Sequence, residues 1–125
     1  MTENEISYLI RGAIFKIYNS LGAGLFESVY LPIFKYELEK LGLTVKAEVP
    51  IPIFYDGIKF DIGFRLDLLV NDKVIVEIKS VERIAEVHHK QVITYLKVTN
   101  LKLGILVNFN CDNITNNMFR KVNNL

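Results

Sequence analysis

The chain opens with apolar residues three and four apart: Ile6, Ile10, Ala13, Ile14, Ile17 and Leu21 fall on one face of a helix. Thr2 and Glu5 have the spacing of a capping box, and Gly22 is a natural stop. After Gly22–Ala23–Gly24, the segment LFESVYLPIFKYELEKLG predicts a second helix ended by Gly42. Pro32 removes a helical hydrogen bond, so a late start or a kink is expected there. From Thr44 the period falls to two. TVKAEVPIPIFYDGIKFDIGFRLDLLV is rich in β-branched and aromatic residues, with Asp56-Gly57 as a hairpin turn and Pro50 and Pro52 marking an edge strand. A second turn at Asn71 to Lys73 returns the chain into VIVEIKS. VERIAEVHHKQVITYLKVTN then predicts a third helix, and LKLGILVNF a buried strand. The expected order is α-α-β-β-β-α-β, an α/β arrangement with no internal repeat and a loose Asn-rich tail over about 110–125.

A length of 125 residues implies one domain over 1–125, and 50% apolar residues imply a folded core. No apolar stretch approaches the roughly 20 residues that span a bilayer, and MTENEISYLI lacks the basic start and small-residue cleavage site of a secretory signal. A cytoplasmic location without membrane contact is therefore expected. Cys111 is the only cysteine, which excludes an internal disulfide and a multi-cysteine zinc site. The net charge of +1 does not announce a nucleic-acid binder, so such a partner would require local charge arrangement or a bound cation.

The candidate chemistry lies in FRLDLLVNDKVIVEIKS, residues Phe64 to Ser80, where Arg65, Asp67, Glu77 and Lys79 interrupt apolar runs. Arg65, Asp67 and Leu69 share one face of their strand by alternation, as do Ile75, Glu77 and Lys79. A three-residue loop at Asn71, Asp72 and Lys73 sets Asp67 opposite Glu77, with Lys79 further along that face; a two-residue loop would scatter the charges. Facing carboxylates repel, and something positive should sit between them. Clustered oxygen ligands suit Mg²⁺, and a neighbouring lysine can orient a water or offset charge on a transferring phosphoryl group. The plain alternative is a solvated strand face with a local salt bridge.

Three further segments change the balance. Gly22, Gly24, Glu27 and Tyr30 in GAGLFESVY fit a G-x-G-x-x-E-x-x-Y signature, followed in order by RLDLLVNDKVIVEIKSV and HHKQVITYLKVTNLKLGILVNF. Together, from about Ile6 to Phe109, these resemble the GxxExxY family of the PD-(D/E)XK nuclease superfamily, on its RecB-like and lambda-exonuclease-like branch. The resemblance implies a minimal restriction-endonuclease-like core, a mixed central sheet flanked by helices. It implies metal ligation by Asp67, Glu77, the backbone carbonyl of Ile78 and Glu27, with Lys79 as the catalytic lysine. Gln91 and Tyr95 match the Q-x-x-x-Y helix motif beside the active site. Leu66 stands where the superfamily's name has proline, a departure many members share.

Read by its own periodicity, the third helix places Val81, Ala85, Val92 and Leu96 in a core stripe and Arg83, Lys90 and Lys97 on the opposite side. Gln91, Tyr95 and His88 fall on the border. The basic stripe serves solubility or contacts phosphates; His88 is structural or touches substrate, since His88 and His89 point about 100° apart and cannot share one ion. Tyr30 suits packing or support of the site, and no phosphate-loop lysine follows Gly22 and Gly24. Asp61 is left outside the site because Gly63 marks a bulge between it and Asp67. The expected function is Mg²⁺- or Mn²⁺-dependent hydrolysis of nucleic-acid phosphodiester bonds, with DNA the expected substrate. The alternative is a catalytically weak or inactive module of the same fold that binds nucleic acid or a protein. Homodimerisation is one way for so small a domain to build a groove or cover its edge strand around Pro50 to Phe54.

Overall fold

The computed structural model describes residues 1–125, the side chain of Ile62 excepted. Helices α1 (Glu3–Leu21) and α2 (Glu27–Lys40) precede strands β1 (Val45–Tyr55), β2 (Ile58–Val70) and β3 (Val74–Lys79). Helix α3 (Glu86–Thr99), β4 (Leu103–Asn108), a 3₁₀ turn (Ile114–Asn117) and β5 (Met118–Val122) follow. The sheet has the order β1-β2-β3-β4-β5, antiparallel except for the parallel β3–β4 pair that α3 connects. This is the α/β order that the periodicity predicts, with the mixed sheet that the resemblance implies, extended by a fifth strand. No helix among the described residues is long and apolar enough to cross a membrane.

Local chemistry explains most of these boundaries. The side chain of Thr2 accepts from the Glu5 N–H, and Glu5 in return accepts from the Thr2 N–H, closing the capping box that starts α1. Ile6, Ile10, Ala13, Ile14 and Ile17 are buried, whereas Leu21 is exposed, so the apolar stripe ends one turn before the helix does. Helix α2 starts at Glu27, later than the apolar pattern suggests, and carries Pro32 inside it. The tail is not loose throughout, because Met118 to Val107 and Val122 to Leu103 are ladder pairs.

Helix α3 begins at Glu86 rather than Val81. The buried Asn108 amide brackets Val81, accepting from its N–H and donating to its carbonyl, at 3.0 and 2.9 Å. That bracket holds the chain after β3 in an open loop. His88 then caps the helix, its Nδ1 accepting from the Ala85 N–H at 3.0 Å. Val81 and Ala85 are therefore outside the helical core stripe, which consists of Val92 and Leu96, and Arg83 leaves the basic stripe for the loop.

Each face of the sheet packs differently. Helices α1 and α2 cover Leu68, Val70, Val74, Val76, Ile78 and the alternate β4 residues Leu103, Ile105 and Val107. Helix α3 covers the other face, where Leu66, Ile75 and Leu96 are buried. Gly104 lets α3 approach: a Cβ there would lie 2.7 Å from Val92 Cγ1. Gly63 answers a similar need, since a Cβ would meet the Ile51 carbonyl oxygen at 1.9 Å, beside a register shift between Ile51 and Ile53.

Candidate active site

The turn decides the first question. Asn71 and Asp72 both have positive φ, 52° and 53°, and Val70 pairs with Val74 across a three-residue loop. The Asn71 side chain accepts from the Thr44 N–H at 2.8 Å, fixing the loop to the start of β1. Register then runs through Leu69–Ile75 and Leu68–Val76. One step further along the same count sets Asp67 across from Glu77. Asp67 Oδ2 accepts from the Ile78 N–H at 2.8 Å, and Lys79 Nζ lies 3.9 Å from Glu77 Oε1. Three of the hairpin's charged residues, Asp67, Glu77 and Lys79, meet.

They meet on the α3 face, because Glu77 shares parity with Ile75, which packs there. Arg65 does not join them. Leu68 belongs to the α1–α2 core and Leu66 to the α3 core, although they are two residues apart, so β2 changes phase at Asp67. The partner strand shows the same switch between Ala47 and Val49, around Glu48, whose φ is 53°. Strict alternation is broken at this point, and Arg65 turns out into solvent.

Burial makes the pair electrostatically tense. Glu77 is only 6% exposed, and its Oε2 has no hydrogen-bond partner among the described residues. Burial, with the Asp67 charge added, pushes the Glu77 carboxyl up to about 8, while Lys79 pulls the other way. Burial also raises Asp67, opposed first by the Ile78 N–H. Two carboxylates this close do not ionise together readily in a poorly solvated site. Asp67, which accepts a backbone N–H, is the better holder of the negative charge, and Glu77 of the proton. An orphaned buried oxygen facing a second carboxylate fits a cation, which would replace that proton.

Glu27 reaches the end of β3 through a loop whose glycines have φ of 69° at Gly22 and 98° at Gly24. Tyr30, fully buried and stacked on Phe109 at 4.3 Å, donates from its hydroxyl to the Gly22 carbonyl at 2.6 Å and accepts from the Leu25 N–H. Ser80 Oγ donates to the Leu25 carbonyl at 2.6 Å, and the Ser80 N–H donates to Glu27 Oε2 at 2.9 Å. The G-x-G-x-x-E-x-x-Y spacing thus builds a turn, an inner pin and an acidic residue at the strand end. Glu27 is exposed and near enough for its charge to raise Asp67, but no three His, Cys, Asp or Glu side chains among the described residues form a ready cation cage.

On α3, the Tyr95 ring stacks on Phe64 at 4.3 Å, and its phenol is pushed up by burial and then by the Glu77 and Asp67 charges. Gln91, half-buried, lies one turn earlier on the same helix face. His88 is spent on the helix cap. His89 packs edge-on against Phe119, and burial lowers its basicity. Lys90 is exposed on α3, and Arg83 is exposed in the loop after β3, beside a cavity of about 500 Å³ that it lines with Asn110 and Asp112. Ser80 and Asn108 escaped sequence reading altogether. A serine ending E-I-K-S and an asparagine ending a strand carry no spacing signal, since their partners lie 55 and 27 residues away.

Comparison with known families assigns residues 4–122 to the PD-(D/E)XK nuclease superfamily. No curated protein and no solved structure matches the chain.

Proposed function

We propose that this chain, which belongs to the PD-(D/E)XK nuclease superfamily, is a divalent-metal-dependent nuclease acting on DNA. The observation that carries the reading is the buried Asp67–Glu77 pair with an orphaned Glu77 oxygen and Lys79 beside it. Asp67 and Glu77 would hold Mg²⁺ or Mn²⁺, with the Ile78 carbonyl and Glu27 completing the oxygen set. When bound, the cation supplies Lewis-acid polarisation of a phosphoryl oxygen and offsets developing negative charge.

The chain's own residues do the rest. Lys79 Nζ orients the water that attacks phosphorus and donates to a phosphoryl oxygen as the P–O bond to the leaving group breaks. Ser80 and Tyr30 hold the Glu27 loop against β3, and Tyr95, backed by Phe64, closes the α3 side of the site with Gln91. Charge distribution along the chain supports a polyanionic substrate. Residues 79–125 carry seven basic against three acidic side chains, a local +4 in a chain of +1. Ion pairs neutralise Lys16, Lys35, Lys40, Lys46 and Lys59, but among the described residues none involves Arg83, Lys90, Lys97, Lys102 or Lys121. Unpaired cations are free to meet phosphates.

The test is cleavage of single- and double-stranded DNA and RNA with Mg²⁺ or Mn²⁺, comparing the natural chain with Glu77→Ala and Lys79→Ala. Metal-dependent cleavage of DNA that each substitution lowers by roughly 10²–10³-fold is expected; activity undiminished in both would sink the assignment. The lack of a ready three-ligand cage favours a second reading, a nuclease-fold module that binds nucleic acid without cutting it. Calorimetry separates them, because that module would retain DNA binding yet take up no Mg²⁺ or Mn²⁺ at millimolar concentration.

A further inference from the structure

Strands β1 and β2 outrun the sheet. Their pairing extends to Tyr55 and Ile58, whereas the β2–β3 ladder reaches only Leu68, leaving Ile51 to Phe64 as a two-stranded arm. A two-stranded ribbon in water is marginal by itself. On this arm Ile53 pairs with Phe60 and Tyr55 with Ile58, so all four share one face and that face is wholly apolar. Tyr55, Ile58 and Phe60 are 73%, 56% and 41% exposed. Aromatic side chains bury about 150–250 Å² each when covered, so this face offers on the order of 350 Å² of apolar surface.

The same chain carries a matching concavity. A groove of about 400 Å³ on the outer side of α1 and α2 is lined by Tyr8, Leu9, Gly12, Phe15 and Leu41, and contains none of the candidate site residues. Its rim holds Arg11, Lys16 and Lys40 against Glu37, a surplus of two positive charges. The arm tip holds Asp56 and Asp61 against Lys59, a surplus of one negative charge. The arm's sign is wrong for nucleic acid, and its apolar face and charge suit the groove.

We propose that the arm of one protomer docks in the α1–α2 groove of a second copy of this chain, and that the exchange is reciprocal about a two-fold axis. Reciprocity covers both unpartnered surfaces on both protomers and closes the assembly. Each protomer then contributes an arm and a groove, approaching the roughly 800 Å² per partner of a specific interface. The site lies on the α3 face, across the sheet from the groove, and is left open.

Sedimentation of the full chain from micromolar to hundred-micromolar concentration reads the proposal, with Tyr55→Lys on the arm and Gly12→Gln in the groove. A Cβ at Gly12 meets nothing within 4 Å, so a side chain can leave the backbone there into the groove that Gly12 lines, and glutamine replaces a poor helix former. Its melting temperature should hold or rise, which separates lost docking from lost folding. The expected result is a dimer in the natural chain and at least a tenfold weaker dimer in each variant. A natural chain that stays monomeric, or a dimer that persists in either variant, overturns the proposal.

Discussion

The two faces of the sheet divide the protein's work. The α1–α2 face is a continuous apolar core in which Tyr30, Phe34 and Phe109 interlock, with ion pairs of Lys16, Lys35 and Lys40 on its helices. The α3 face buries fewer side chains completely, Leu66, Ile75, Val92, Leu96 and Leu106, and spends adjoining space on Asp67, Glu77 and Lys79. One face supplies the free energy that lets the other hold charges at a loss. A buried charge cluster of this kind is held in place by packing elsewhere.

The contrast can be broken first at its stable side. Phe109→Ala removes the ring beneath Tyr30 and should cost about 3–5 kcal/mol in urea unfolding. At the other face, Glu77→Ala and Lys79→Ala should each lower cleavage by roughly 10²–10³-fold; the melting temperature should hold or rise in Glu77→Ala, where a buried carboxyl with an unmet oxygen is lost, and fall in Lys79→Ala, which removes the cation beside that carboxyl. A large drop in stability from Glu77→Ala would erase the division between the faces. Gly104→Val wedges α3 away from β4 and should cost about 1–3 kcal/mol, with cleavage falling further than stability because Tyr95 shifts with the helix.

Proton linkage gives a finer probe. The Glu77 carboxyl is raised from its ordinary 4.5 to about 8, so between those values the folded protein holds a proton that the unfolded chain releases. Stability in chelator should therefore fall as pH rises from about 5 to about 8 and level off above. Melting curves should show this slope in the natural chain and lose it in Glu77→Gln or in saturating Mg²⁺. The smallest effect belongs to the phase change: Glu48→Gly relieves a left-handed non-glycine residue and should alter stability by less than about 1 kcal/mol, leaving cleavage unchanged.

Much of this was legible residue by residue. The Thr2–Glu5 cap, the α1 stripe from Ile6 to Ile17, the Asp56-Gly57 turn and the odd loop count at Asn71 to Lys73 all depend on neighbours a few positions away. Local spacing starts helix α3 too early, because Asn108, 27 residues from Val81, holds the preceding loop open. Strand β5 hid in an Asn-rich tail whose pairing depends on β4 being there. Simple alternation sets Arg65 beside Asp67, and the phase change at Asp67 and at Glu48 on the partner strand breaks it.

The sequence by itself determined three helices, the first four strands and their order, and tied the meeting of Asp67 with Glu77 to one turn, because periodicity and turn chemistry act locally. Only the tertiary structure decided that this pair lies on the α3 face, that Glu77 is buried with an oxygen unmet, and that Ser80 carries the Glu27 loop. Burial and long-range hydrogen bonds depend on which distant segments arrive at a point in space, and no local spacing encodes that arrival.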